Sequence, residues 1–274
     1  MKHILANNFN PENIEKYSDK YHSSVPFPYF VIDNFLNAES ANSILDNFEL
    51  NKNWINYNFI NSKKTWGLSD KNCMNENCKE VFEELQSKEF VNLLSKITGI
   101  KDIFLDKSLD SGGLTQSFTG GKLSMHTDFI AHATQQRWRR VLNILIYFNK
   151  NWLEEYNGQL EFWDENLKQK VDSISPIFNR CLIFKTHKKS YHGYPETIKC
   201  PHDMSRKSLS AWYFVEEEKE LEQYPTKYKP RPSDSIFYSF LIHSDTFLTK
   251  IFFFLKRYKI INNKFASKVL DLFK

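Results

Sequence analysis

Two residues of metal-binding types, His126 and Asp128, stand two positions apart in the sequence MHTDF. The surrounding segment KLSMHTDF is typical of a β-strand, in which residues two apart point to the same face. An imidazole and a carboxylate on one face can bind a single metal ion. Polar residues at this spacing also occur in many proteins without metals, so the pair alone does not establish a site.

A third metal-binding residue, His192, lies in SYHGYP, 66 residues after His126. A strand from the other side of a barrel would bring its imidazole to the same point as the first pair. Two imidazoles and one carboxylate on one face of an octahedron leave three positions open, as in non-haem iron(II) oxygenases. We therefore predict that His126, Asp128 and His192 are metal ligands and catalytic residues.

A fixed cation follows at Arg206, in the segment SRKSLSAWYF. A dicarboxylate cosubstrate needs a cation at its far end, and a planar guanidinium can meet a carboxylate with two charge-assisted hydrogen bonds. Ser208, two residues along the same predicted strand, would present a hydroxyl on the same face. Arg206 and Ser208 are thus candidate cosubstrate-binding residues.

The elements that must position these side chains follow from hydrophobic periodicity and turn signals. PFPYFVIDNFL is predicted to be an entry strand, and helices are predicted over 38–50 and 80–98. From about residue 101 the chain changes to short apolar runs separated by turn signals. The predicted strands in this region are LTQSF, KLSMHTDF, RVLNILIYF, GQLEFWD, RCLIFKT, SYHGY and RKSLSAWYFV. This pattern predicts a mainly β fold with flanking helices, in the form of a compact barrel or jelly roll.

Composition excludes several classes of protein. The 274 residues are 41% hydrophobic and 26% charged, which favours one globular domain. A net charge of +4 is too small to indicate a nucleic-acid partner. The four cysteines do not form a metal pair, and the N-terminus lacks the apolar run of a signal peptide. We therefore expect a cytoplasmic protein, with contact at the membrane periphery as the alternative.

The C-terminal segment differs from the rest of the chain. We place the domain at residues 1–230, with its β core from about 101, and an apolar-basic helical appendage at residues 231–274. Residues 236–274 combine many Phe, Leu and Ile residues with lysines and one arginine, as interfacial helices do. The segment is interpreted either as a membrane-surface contact or as a helix that packs on the barrel or forms a dimer contact.

The motif HxD…H…RxS and its surroundings resemble the 2-oxoglutarate-dependent Fe(II) oxygenase superfamily, in its prolyl-4-hydroxylase-like branch. The segments that carry the resemblance are GGKLSMHTDF, RRVLNILIYFNKNWLEEYNGQLEFWD, FNRCLIFKTHKKSYHGYPE and SRKSLSAWYF, together with PFPYFVIDNFL. The resemblance implies a cupin-like double-stranded β-helix in which the three ligands bind Fe(II) and Arg206 anchors the distal carboxylate of 2-oxoglutarate. It also implies that the hydroxyl of Tyr147 shares that carboxylate.

The activity implied is hydroxylation of an unactivated C–H bond with O₂ and 2-oxoglutarate, giving succinate and CO₂, with ascorbate as a candidate supporting reductant. The substrate is either a prolyl or other residue of a protein or a small molecule or glycan, including a lipid-linked glycan. A non-catalytic cupin-like binding module and a zinc hydrolase are the rival readings. Neither would need the cation at Arg206.

Further residues are assigned by strand alternation and by spacing. Asn143 and Leu160 would face the cosubstrate pocket. The 14 residues from His192 to Arg206 require that ETIKCPHDM form a loop between two strands. Two groups of residues are not assigned as ligands. The histidines His132, His187, His202 and His243 are interpreted as surface groups or as neighbours of the site. The aromatic residues Trp163, Phe184 and Trp212 are interpreted as core residues, one of which could border the substrate pocket.

Overall fold

The computed structural model describes residues 1–50, 53–109, 112–222 and 226–257. Within these ranges the helices are α1 (Pro11–Ser23), α2 (Ala38–Leu50), α3 (Glu76–Leu85), α4 (Lys88–Thr98) and α5 (Ile236–Arg257). The strands are β1 (Tyr29–Ile32), β2 (Ile55–Tyr57), β3 (Ser62–Leu68), β4 (Phe104–Leu105), β5 (Gly113–Thr127), β6 (Trp138–Tyr147), β7 (Leu160–Trp163), β8 (Lys170–Ile174), β9 (Cys181–Lys185), β10 (His192–Tyr194), β11 (Ser205–Glu216) and β12 (Lys227–Tyr228).

The strands form one antiparallel sheet that curls into a half-barrel. Its main path runs β1-β9-β6-β11-β5-β10-β7-β8. The hairpin β2–β3 and the short strand β12 also pair with β5, while β4 pairs with β11. The long strand β5 is therefore the element that joins the hairpin, the C-terminal segment and the rest of the barrel.

Alternation along the strands separates two apolar clusters. On β6, Leu142, Ile144 and Ile146 pack in a large cluster that includes the buried residues of α1 to α4. Tyr147, one position on, belongs to a second cluster with side chains of β7, β9 and β10. Because successive strand residues face opposite ways, the helices cover the outer face of this part of the sheet and the second cluster fills the interior.

The structure confirms the predicted mainly β fold with flanking helices, a double-stranded β-helix. The predicted helix at 38–50 is confirmed. The single helix predicted over 80–98 is wrong, because the chain forms two helices there. Ser87 separates them, and its side chain accepts a hydrogen bond of 3.2 Å from the Phe90 amide as the N-cap of α4. The polar sequence of α1 gave no helix prediction, yet Asn10 caps it and Tyr21 is buried.

The two strands predicted on either side of Gly120 and Gly121 are one strand, β5. Gly120 has φ = +85°, a left-handed conformation that glycine adopts at little cost and that permits a bulge without ending the strand. The register of β3 on β5 shifts at this point, between Lys63 and Thr65. Gly120 and Gly121, which the sequence predicts to be a turn, therefore lie at an irregularity in the pairing of β3 with β5.

The predicted C-terminal helix is present as α5, and residues 258–274 lie outside the described ranges. None of the helices in the described part of the chain combines the length and apolar character required to cross a bilayer. The segment between β10 and β11, which contains ETIKCPHDM, is a loop, as the long spacing required.

Candidate active site

The structure brings together the three predicted metal ligands. The side chains of His126, Asp128 and His192 each offer a ligand atom, and these atoms lie within 4.8 Å of one another. His126 is on β5 and pairs in register with His192 on β10, and Asp128 directly follows β5. Strand pairing therefore places His192 next to His126, although 66 residues separate them in the chain.

The two imidazoles are oriented in the same way. The Nδ1 atoms of His126 and His192 each lie 2.9 Å from a backbone carbonyl oxygen, of Ser124 and Ser190 respectively. An Nδ1–H that donates to a carbonyl leaves Nε2 as the free acceptor, which is the usual arrangement of metal-binding histidines. The Nε2 atoms face the Asp128 carboxylate at 3.6 Å and 3.8 Å. Both rings thus direct a lone pair toward the same point.

The electrostatics of the site favour the ligand forms of these groups. Burial raises the pKa of Asp128, but the neighbouring imidazoles and the guanidinium of Arg140 outweigh this effect and hold it below its ordinary range. Burial, together with the nearby His126, lowers the pKa of His192 to about 4. At neutral pH the site therefore holds a carboxylate and a neutral His192 imidazole, and both are metal-binding forms.

The side chain of Asn143 gives a separate indication that the site binds a further group. Its Nδ2 lies 3.5 Å from Oδ2 of Asp128, while its buried Oδ1 has no hydrogen-bond partner in the described structure. A buried polar atom without a partner is costly unless a ligand or water satisfies it. The donor set of two imidazoles and one carboxylate suits Fe(II), and the orphaned oxygen beside it is consistent with a site built for additional ligands.

The predicted cosubstrate anchor, Arg206, is 4% exposed and forms no ion pair with any described carboxylate. Its Nε donates to the Gly158 carbonyl at 2.6 Å, and its Nη2 lies 3.4 Å from the hydroxyl of Tyr147. A buried cation without a counter-ion is unfavourable, and a guanidinium with hydrogen-bond donors to spare can bind an anion. Arg206 therefore remains a candidate anion-binding residue, and the Tyr147 hydroxyl lies beside its guanidinium. The predicted role of both residues in binding the cosubstrate stays a prediction.

The remaining predicted pocket residues lie on the same interior surface. Ser208 is buried and pairs in register with Tyr147 across β11 and β6. Leu160 belongs to the interior cluster that includes Tyr147 and Tyr194. Ser208, Leu160 and Asn143 thus occupy the interior surface that strand alternation indicated, and their roles stay predictions.

The sequence analysis missed Tyr194, which packs against Arg206. The Arg206 guanidinium carbon lies 4.3 Å from the centre of the Tyr194 ring and 5.0 Å from that of Tyr147. Tyr194 reaches Arg206 from β10 and Tyr147 from β6, on opposite sides of β11. The Tyr194 hydroxyl lies 2.8 Å from the Ser117 hydroxyl, and the Ser117 hydroxyl lies 3.0 Å from the Thr65 hydroxyl. The available signal was the position of Tyr194, two residues after His192 on one strand.

Three further side chains contact the ligands and were not assigned to the site. Arg140 is fully buried, with its Nη1 3.7 Å from Oδ2 of Asp128. Trp212, interpreted as a core aromatic, points its Nε1 at the same oxygen from 3.4 Å. Tyr228 on β12 pairs in register with His126, with their ring centres 5.4 Å apart. The first two surround Oδ2 with donors, so Oδ1 is the carboxylate oxygen better placed for a metal.

The other histidines lie apart from the triad or have other partners. His132 is buried, with Nε2 3.4 Å from Asp106 Oδ2 and Nδ1 accepting from the Thr134 and Gln135 amides. This arrangement fixes the loop that follows Asp128. Phe184, a predicted core aromatic, packs with its ring centre 4.8 Å from that of His192.

The family comparison agrees with this geometry. Residues 113–214 match the model of the 2OG-Fe(II) oxygenase superfamily. This range contains the triad, Tyr147 and Arg206. The resemblance to this superfamily and its prolyl-hydroxylase-like branch, predicted from the sequence, is therefore confirmed.

Particular relatives are prolyl hydroxylases. The chain is 28% identical over 151 residues to the mouse prolyl 3-hydroxylase OGFOD1; this match covers 54% of the chain and 25% of the mouse protein, so the chain spans about a quarter of that relative's length. A Trichoplax adhaerens prolyl hydroxylase, solved with a peptide from the hypoxia-inducible factor, has a TM-score of 0.53 at 18% identity over 74% of this chain and 91% of its own. A Pseudomonas putida prolyl-4-hydroxylase has a TM-score of 0.54 at 14% identity, with coverages of 74% and 98%. The two structures show that the fold is shared.

Proposed function

We propose that this protein is a 2-oxoglutarate-dependent Fe(II) dioxygenase that hydroxylates a side chain of a protein, of prolyl type. The observation that carries the proposal is the pairing of a two-histidine, one-carboxylate cluster, in which both imidazoles are buried, with a buried guanidinium that forms no ion pair with any described carboxylate. The first arrangement suits Fe(II), and the second suits the far carboxylate of a dicarboxylate.

In the proposed enzyme, separate residues bind the iron and the cosubstrate. His126, Asp128 and His192 would hold the iron, which with 2-oxoglutarate and O₂ supplies the oxidising power for C–H hydroxylation. Arg206 and Tyr147 would bind the distal carboxylate of 2-oxoglutarate, and the apolar cluster around Leu160 excludes water from the pocket. Ascorbate is a candidate supporting reductant.

The substrate class is supported by the relatives. The mouse protein is named a prolyl 3-hydroxylase, and the Trichoplax adhaerens enzyme was solved with a protein-derived peptide. Small molecules and glycans remain the alternative substrates from the sequence analysis. The relatives do not address the predicted membrane contact of residues 236–274.

The burial of Arg206 disfavours the two alternative hypotheses, a non-catalytic binding module and a zinc hydrolase. A non-catalytic binding module would not need a buried guanidinium that has no carboxylate partner in the described part of the chain, because burying a charge without a partner costs stability. A zinc hydrolase with the same ligands would require a general base beside the metal and would not require a distal cation.

The test is turnover of 2-oxoglutarate with a library of proline-containing peptides, under air, with Fe(II) and ascorbate. We expect succinate release to rise with particular peptides and those peptides to gain one oxygen atom by mass spectrometry. The variant Arg206→Ala is the matched control and should lose both signals. Succinate release that no peptide stimulates, together with stimulation by a glycan, would reject the protein substrate while retaining the enzyme class.

A further inference from the structure

The described part of the chain concentrates its exposed apolar side chains on one surface. Eight of the twelve large apolar residues that are exposed lie either in the β2–β3 hairpin or on α5. The eight residues, called the hairpin–helix face below, are Ile55, Tyr57, Phe59, Ile60, Ile236, Phe237, Phe240 and Phe247. Ile236 is 91% exposed and Phe237 is 71% exposed. An apolar face of this kind marks a contact with another surface.

The hairpin and the helix are tied together. The Tyr238 hydroxyl is 3.3 Å from the Ile60 carbonyl oxygen and 2.6 Å from the hydroxyl of Ser124. The Asn61 amide donates to Asp245 at 2.7 Å, and Ile242 is buried. Tyr238, Ile242 and Asp245 therefore form the side of α5 that packs on the barrel.

Away from this packed side, α5 carries the exposed residues Phe237, Phe240 and Phe247. A helix with apolar residues on both sides is stable in water only when both sides are covered. The barrel covers only one side within the described residues. The outward side of α5, a helix that adjoins the hairpin at Ile60 and Asn61, is thus the part that a partner would cover.

The charges around the face indicate what the partner is. Lys63 and Lys122 pair in register on β3 and β5, and the Lys122 ammonium lies 3.8 Å from the centre of the Tyr238 ring. Lys64 stands beside them in the sequence. The segments 53–65 and 235–247 contain one acidic residue, Asp245, which Asn61 engages.

We propose that the hairpin–helix face docks this protein on the surface of an anionic lipid bilayer. Exposed Phe, Tyr and Ile side chains with a lysine border are suited to the interface of such a membrane, and each lysine near the surface adds electrostatic attraction. A second copy of the chain fits less well, since a two-fold contact would bring lysine borders of the same charge together. No described helix can cross a bilayer, so the contact is peripheral.

Docking would also place the active site near the membrane. The strand β5 pairs with β3 of the hairpin and carries His126. Leu123 on β5 pairs with both Ser62 of the hairpin and Tyr194 of the cosubstrate pocket. The hairpin part of the docking surface and the candidate site are therefore joined through β5.

The experiment is flotation of the full chain with vesicles of phosphatidylcholine alone and of phosphatidylcholine with phosphatidylserine. We expect binding to the anionic vesicles that weakens as salt is raised. The double variant Phe237→Ser with Phe240→Ser should bind at least about tenfold more weakly, because it removes the burial of two aromatic rings. The matched control, Leu153→Ser with Val171→Ser, changes two exposed apolar residues elsewhere and should bind as the wild type does.

A second variant, Lys63→Glu, keeps every apolar residue. It should weaken binding to the vesicles that contain phosphatidylserine and leave binding to phosphatidylcholine vesicles unchanged. The inference is overturned if the wild type stays unbound to both kinds of vesicle, or if the phenylalanine variant binds as well as the control. A wild-type dimer in light scattering that the phenylalanine variant converts to monomer would assign the face to a second copy instead.

Discussion

At the scale of single residues, the packing of Arg206 bears directly on the proposed dicarboxylate site. Its guanidinium lies against the rings of Tyr147 and Tyr194, and the Gly158 carbonyl takes its Nε hydrogen. A cation held in this way is preorganised, so less rotational freedom is lost when the cosubstrate binds. Tyr194 is therefore a positioning residue for Arg206.

We predict that Tyr194→Leu raises the Kd for 2-oxoglutarate about tenfold, because a buried cation–π contact contributes about 1–2 kcal/mol. Tyr194→Phe keeps the ring and loses only the hydrogen bond to Ser117, so it should change the Kd by less than about threefold. Fe(II) affinity should stay unchanged in both variants. Equal Kd values for the Leu and Phe variants would show that the ring does not position Arg206.

The three candidate metal ligands, which the structure brings together, could be proposed from the sequence because their residue types and strand patterns are visible locally. His126 and Asp128 show their common face through their spacing, and His192 and Arg206 stand out in strands of recognisable pattern. Tyr194 and Arg140 were not predictable in the same way. Tyr194 reaches Arg206 only through the pairing order of β10, β5 and β11, and Arg140 meets Asp128 next to a break in the β6–β11 register.

At the scale of elements, the site depends on the close approach of β10 to β5. Gly193 separates His192 from Tyr194, and a Cβ at this glycine would lie 2.8 Å from the Ser124 carbonyl oxygen and 2.9 Å from that of Leu123. These are backbone atoms that cannot turn aside. The lack of a side chain at Gly193 therefore allows the two ligand strands to pair.

We predict that Gly193→Ala lowers the affinity for Fe(II) by about tenfold or more, because it moves His192 away from His126. Gly67→Ala on β3 is the control, since the Cβ there would meet the outer edge of the half-exposed Tyr57 ring, which can move. Metal titration followed by fluorescence gives both affinities. A Gly193→Ala variant that binds metal as tightly as Gly67→Ala would contradict the account.

Element boundaries were harder to predict than element types. The helix predicted over 80–98 is interrupted because Ser87 caps a new helix in the middle of a continuous apolar pattern. The strand β5 continues through Gly120 because a bulge accommodates the left-handed residue. In both places the same residue types are compatible with two local structures, and tertiary packing selects one.

At the scale of the whole molecule, the metal-free site links stability to pH. The pKa of His192 is about 4 in the folded protein, below its ordinary value of 6.5, because of burial and the nearby His126. The unfolded chain therefore binds a proton that the folded chain rejects between these two values. The stability associated with neutral His192 is complete above pH 6.5 and declines as the pH falls toward 4.

We predict that the free energy of unfolding of the metal-free wild type falls by about 1–2 kcal/mol more between pH 7 and pH 5 than that of His192→Gln, which has no ionisable group at this position. Urea unfolding in the presence of a chelator measures this difference. If both proteins lose the same stability over this range, His192 does not titrate as its surroundings indicate.

The proposed function requires that one pocket bind Fe(II) through His126, Asp128 and His192 and 2-oxoglutarate through Arg206. The most direct test is anaerobic titration of Fe(II) and 2-oxoglutarate, followed by the visible metal-to-ligand charge-transfer band. We expect the wild type to give the band and His126→Ala to lose it. For Arg206→Ala we expect the band to appear only at 2-oxoglutarate concentrations at least about tenfold higher than for the wild type. Wild-type protein that binds Fe(II) without producing the band at any 2-oxoglutarate concentration would contradict the proposed function.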